Sequence, residues 1–149
     1  MMYRIDYALR FTGKARTASP DGNLLNVSMT AQSSRVSSHI GDVGIKSWME
    51  ALPGDRAVFS SEVTFTSETE FQETGAITFG DGNTLHFSTV GTGYLAPSAD
   101  PDRRQGAVMW RIDRGEGQFA GASGMITSNF FVNDQFSKED YHCGVLLLP

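Results

Sequence analysis

Three side chains on two neighbouring segments offer the most readable chemistry. His86 lies within Thr84–Gly91, and Arg111 and Asp113 lie on the next apolar segment. If the loop between them centres near residue 100, antiparallel pairing sets His86 opposite Arg111–Asp113. A histidine beside a carboxylate is a tuned acid or base, so His86, Arg111 and Asp113 form the candidate catalytic set. Their meaning depends on which face of the sheet is inside. If Leu85, Phe87, Val108, Trp110 and Ile112 point inward, His86 is a solvated surface residue, and Phe65, Phe87 and Trp110 are the candidates for lining a ligand site. If those apolar residues instead form a subunit interface, His86, Arg111 and Asp113 line the cavity. The apolar-in arrangement is the ordinary one.

Other motifs carry less. Gly115-Glu116-Gly117-Gln118-Phe119-Ala120 fits the loose dinucleotide fingerprint G-x-G-x-x-A. That fingerprint works only where a helix follows and presents its N-terminus to the pyrophosphate. Gly121-Ala122-Ser123-Gly124 and a β-rich run follow instead, so the glycines read as a turn and a bulge. Ser123 lacks the strand–turn–helix setting of a nucleophile elbow. His39, His86 and His142 have no metal-ligand spacing, and no metal or cofactor is implied. Cys143 is the only cysteine, so no internal disulfide forms, and it reads as a small core residue.

The elements that must position these residues are strands. Phe59, Val63, Phe65 and Phe71 share one parity, and Glu62, Thr64, Thr66, Glu68 and Glu70 hold the other. This is period-two alternation over a long strand or a bulged pair. Residues 3–12 and 24–32 precede it. Ala76–Phe79 and Thr84–Gly91 flank the hairpin turn Gly80-Asp81-Gly82-Asn83. Residues 95–105 read as an exposed loop, Gly106–Asp113 as a strand, and Phe119–Val132 and Tyr141–Leu148 as the last two, joined by a polar turn around residues 133–140. The one helical candidate is Ile45–Leu52, ending at Pro53-Gly54. About eight strands in meander order predict an all-β, single-domain chain over residues 1–149, closed into an antiparallel barrel that leaves no exposed edge.

Composition sets the outer limits. The 149 residues are enough for one core without staples. Only 19% are charged, and the net charge of −5, with its basic residues scattered, excludes a nucleic-acid surface. No run approaches a membrane span, and the charged N-terminus does not read as a signal peptide, so the chain reads as cytoplasmic. Phe119–Val132 and the run Val145-Leu146-Leu147-Leu148 are apolar on both faces. In a chain with so little helix, the outer cover is a second subunit, and a homo-oligomer (dimer or trimer) is expected.

The run from Trp110 to Gly124 (WRIDRGEGQFAGASG) resembles the G-x-G-x-F-x-G-x-x-G turn-and-strand signature of the allene oxide cyclase and dirigent-like barrels, and the Gly75–Gly93 hairpin is similar to theirs. The resemblance covers residues 56–148. It implies an eight-stranded, commonly trimeric barrel with an apolar cavity. It also implies cofactor-free cyclisation, isomerisation or coupling of hydrophobic small molecules. The acidic pair and aromatic cluster of those families find no aligned position here, so no catalytic residue is carried over. The leading expectation is a small-molecule-binding barrel, with a cyclase- or isomerase-type enzyme as its catalytic form. A non-catalytic carrier, or a barrel filled by its own side chains, is the alternative.

Overall fold

Alternation of apolar and polar residues, repeated along the whole chain, leaves one arrangement that buries every apolar face: a sheet rolled until its ends meet. A computed structural model describes residues 1–149 and shows this arrangement. Nine strands form one antiparallel sheet: β1 (Tyr3–Thr17), β2 (Leu24–Gly41), β3 (Gly44–Phe65), β4 (Glu70–Phe79), β5 (Thr84–Thr89), β6 (Gly93–Pro97), β7 (Arg103–Glu116), β8 (Ser123–Asn133) and β9 (Ser137–Leu148). The pairings β1–β9 and β3–β4 close the ring. Strands β5 and β6 both pair with β4 and with β7, end to end, so they fill one position and the barrel has eight. The order is a meander. No helix is long and apolar enough to cross a membrane.

Parity then assigns each residue to the bore or the outer wall. The buried set includes Phe11, Phe59, Ile77, Leu85, Phe87, Trp110, Ile126 and Leu146, all inward. Phe59, Phe87 and Trp110 stack on one another with ring centroids 4.4–5.6 Å apart. His142 stands 4.4 Å from Phe11 and 4.9 Å from Trp110. These five rings plug the middle of the bore. Gly75 makes room for the plug: a Cβ there would strike the Ser60 carbonyl and the Phe87 ring.

Three sequence expectations are corrected. The stretch 57–71 is two strands joined by a turn at residues 66–69, and residues 95–97 and 103–105, expected in a loop, are paired strand. Residues 45–52 are strand, and the molecule's only helix is a 3₁₀ turn at Gly117–Phe119. The apolar spacing Ile45, Trp48, Met49, Leu52 imitates a helix face. The β-rich Ser34–Gly41 segment offers a ladder partner, with Ile40 opposite Ile45 and Val36 opposite Met49, and long-range pairing wins. Pro53 and Gly54 fall where the β2–β3 register breaks, where a missing N–H costs no ladder bond.

Beyond that break, residues 34–51 leave the barrel as a two-stranded arm with Val36, Ile40, Val43, Ile45 and Trp48 exposed. The arm adds nothing to the bore. Replacing residues 35–50 by Asn-Gly is therefore expected to keep cooperative urea unfolding within about 1 kcal/mol of the parent. A collapse of cooperativity would show that the arm is part of the barrel's core.

Candidate functional site

On one side of the ring plug the bore is open. The cavity there holds about 560 Å³. Its mouth is framed by the turns after β1, β3 and β8, which contribute Asn23, Ser67 and Asp134 to the lining. Its walls are apolar, with Leu25, Val63, Phe65, Phe71, Leu95 and Phe130 prominent. Two buried ionisable residues interrupt those walls, Glu73 on β4 and Lys138 on β9. In an eight-position ring β4 and β9 stand four steps apart either way round, on opposite walls.

Each belongs to a buried polar cluster of its own. Ser61 donates to Glu73 Oε2 at 2.6 Å, while Glu73 Oε1 is buried with no partner. Lys138 Nζ lies 3.5 Å from Asp140 Oδ2 and 4.3 Å from the centre of the Phe130 ring. Ser128 donates to Asp140 Oδ1 at 2.6 Å, and His142 Nε2 stands 3.2 Å from Asp140 Oδ2. The Tyr7 hydroxyl is 3.3 Å from His142 Nδ1. With the hydroxyl as donor, that ring nitrogen accepts and the ring's proton sits on Nε2, on the side of Asp140 but not aligned for a hydrogen bond to it.

The two buried acids are driven in opposite directions. Burial pushes the Glu73 pKa above the ordinary glutamate value, and nearby Asp140 adds to the rise against the pull of Lys138 and Ser61. Burial works on Asp140 too, but Lys138, His142 and the Ser128 hydroxyl outweigh it and hold its pKa below the usual aspartate range. The open end of the bore therefore holds a glutamate whose burial disfavours its charged form and, beside it, an aspartate whose charged form its neighbours stabilise. Acid–base pairs pushed apart in this way are suited to proton transfer.

His86, Arg111 and Asp113 lie elsewhere. Leu85, Phe87, Val108, Trp110 and Ile112 point inward, which turns their neighbours out. Asp113 forms a bulge, His86 pairs with Arg114 rather than with Arg111–Asp113, and Ser88 takes the place opposite Arg111. His86 Nε2 meets Glu116 at 2.8 Å, and Arg114 binds the same carboxylate at 2.7 Å. Arg111 pairs with Asp113 at 3.2 Å. These are solvated outer-wall pairs away from the cavity. Of the expected lining residues, Phe65 lies on the cavity wall, whereas Phe87 and Trp110 belong to the ring plug. Gly115–Phe119 is the turn and 3₁₀ segment between β7 and β8, and no helix N-terminus stands there to meet a phosphate.

Reading residues 133–140 as a turn hid the polar cluster on β9. The available signal was parity: Lys138, Asp140 and His142 alternate in phase with the inward Leu146, and Glu73 is in phase with Phe71.

The two acids predict distinct pH behaviour. A raised folded-state pKa means that Glu73 holds its proton where the unfolded chain has lost it, so its contribution to stability falls as pH rises through that window. Glu73→Gln removes this loss, and the variant should gain stability over the parent as pH rises past the ordinary glutamate pKa, measured by urea unfolding. Asp140→Ala leaves Lys138 buried without its anion and should cost roughly 3–5 kcal/mol at neutral pH.

No protein-family model matches the sequence, and no curated protein matches it. Among solved structures, that of a pterocarpan synthase dirigent protein superposes with a TM-score of 0.54 at 12% identity, over 99% of this chain and 86% of the other. The likeness lies in the fold: this chain has the β-barrel fold of that dirigent structure.

Proposed function

We propose that the protein binds a hydrophobic small molecule in the open end of its barrel. The observation that carries this reading is the 560 Å³ cavity itself, apolar on its walls and holding a buried glutamate oxygen without a partner. A bore filled by its own side chains would have no use for either feature. The dirigent structure supports the reading by its fold, and the name of that protein suggests a ring-containing, phenol-derived ligand.

A catalytic form of the same reading is favoured by Glu73. An acid whose burial favours its protonated form, at the wall of an apolar cavity, can assist cyclisation or isomerisation of a held conformer without a cofactor. A pure carrier has no need of the group. On this reading Glu73 and Lys138 replace His86, Arg111 and Asp113 as the residues for chemistry, and Phe65 remains a wall residue.

The outer face supports a homo-oligomer. Met125 and Val145 are cross-strand neighbours there, both substantially exposed, with Met109 nearby on β7. A second copy is the cover the sequence calls for.

Two measurements test these readings. N-phenylnaphthylamine should fluoresce on binding the parent, and Val63→Trp, which fills the cavity, should weaken that binding at least tenfold. Equal binding by both proteins would move the ligand off the cavity. Sedimentation should find an oligomer that Val145→Asp dissociates. A monomeric parent would refute the assembly.

A further inference from the structure

The two-stranded arm beyond the register break has unsatisfied edges. A ribbon of two strands is marginal in water by itself, and residues 34–41 and 44–51 have only each other as ladder partners. On the β3 side, pairing with β4 begins at Ala57, opposite Phe79, so the outer edge of residues 44–51 is open. On the β2 side, pairing with β1 ends at Thr30, so the edge of residues 34–41 is open as well. An exposed edge of this length is a template for a further strand.

Charge decides which strand fits. Parity puts Lys46, Trp48 and Glu50 on one face of the β3 edge, and Ile45, Ser47 and Met49 on the other. Within one copy Glu50 has a loose, exposed pair with Arg35 at 3.7 Å, and Lys46 has no ion pair. The base and the acid stand two residues either side of Trp48. Let this edge pair antiparallel with the same edge of a second copy, about a two-fold axis at Trp48. Lys46 of each copy then lies opposite Glu50 of the other, and the two exposed Trp48 rings meet on the axis. On the other face Ile45 lies opposite Ala51, and Met49 opposite Ser47. An overlap of residues 45–51 makes about six to eight backbone hydrogen bonds and turns two marginal ribbons into one four-stranded sheet. The β2 edge has no such match: an axis at Ser37 would set Arg35 against His39, with no acid on that strand's face to answer either. We propose that the β3 edge of the arm is a dimerisation site whose occupant is the same edge of a second copy, in the register that pairs Lys46 with Glu50. The assembly closes at two, because each edge is consumed by the other. The contact is separate from the Met125–Val145 face, and the two barrels stand at opposite ends of the joined sheet.

Sedimentation equilibrium in the Val145→Asp background reads this contact alone, since that substitution takes the outer-wall contact away and should leave arm-joined dimers. The Val145→Asp protein should be dimeric at about 100 µM, as so small an interface allows. Adding Lys46→Glu sets glutamate against glutamate twice and should weaken the dimer about tenfold or more. Adding Glu50→Lys to that variant should restore most of the loss. A Val145→Asp protein that is monomeric at that concentration would overturn the inference and leave the outer-wall assembly standing. A dimer indifferent to Lys46→Glu would overturn it, and so would a loss that Glu50→Lys fails to restore.

Discussion

A closed barrel has one bore, and alternate residues along each strand must enter it. Everything else in this molecule follows from that constraint. Eight strand positions enclose more space than short side chains can fill, so the bore needs large rings or remains open. Here it does both. Five rings, from Phe11, Phe59, Phe87, Trp110 and His142, close the middle. Toward the mouth the inward positions pass to smaller residues such as Ala15, Val27 and Val63, and the space they leave is the cavity.

The same constraint makes the polar residues of the bore informative. A charge on an outer wall costs almost nothing, and the pairs around His86 and Arg111 are of that kind. A charge sent inward loses its water and survives only if it is matched. Lys138, Asp140 and His142 enter on successive inward positions of one strand, with Ser128 of β8 bonded to Asp140 from beside them. Asp140 Oδ2 meets Lys138 and His142 as ion-pair contacts rather than as aligned hydrogen bonds, and Glu73 Oε1 on the facing strand has no partner. Apolar residues of similar volume often fill such positions at no loss of stability, so stability alone does not account for them.

Much of this fold was legible in the sequence because period-two alternation is a local signal. Closure into a meander barrel comes from it, and the hairpin at Gly80–Asn83 from its turn residues, while alternation put Leu85, Phe87, Trp110 and Ile112 on one face and left open whether that face was the bore or a subunit interface. Register is a different matter, since it depends on pairing between distant segments. The bulge at Asp113 moved His86 away from its expected partners, and the pairing of Ile45–Leu52 with β2 overrode a helix-like spacing. The site was missed for a related reason: Lys138-Glu139-Asp140 looks like a polar turn until the strand is extended back to Ser137. Charge is read from sequence as surface. Only the phase set by Leu146 turns that charge inward.

The central claim is that the open end of the bore receives an apolar ligand. A crystal of the protein soaked with a neutral brominated ketone, such as bromoacetophenone, tests it most directly through the anomalous signal of the bromine. The account predicts a bromine peak inside the cavity, within its apolar lining of Leu25, Val63, Phe65 and Leu95. Bromine found only on the outer wall or along the β2–β3 arm, with the cavity unchanged, would contradict it.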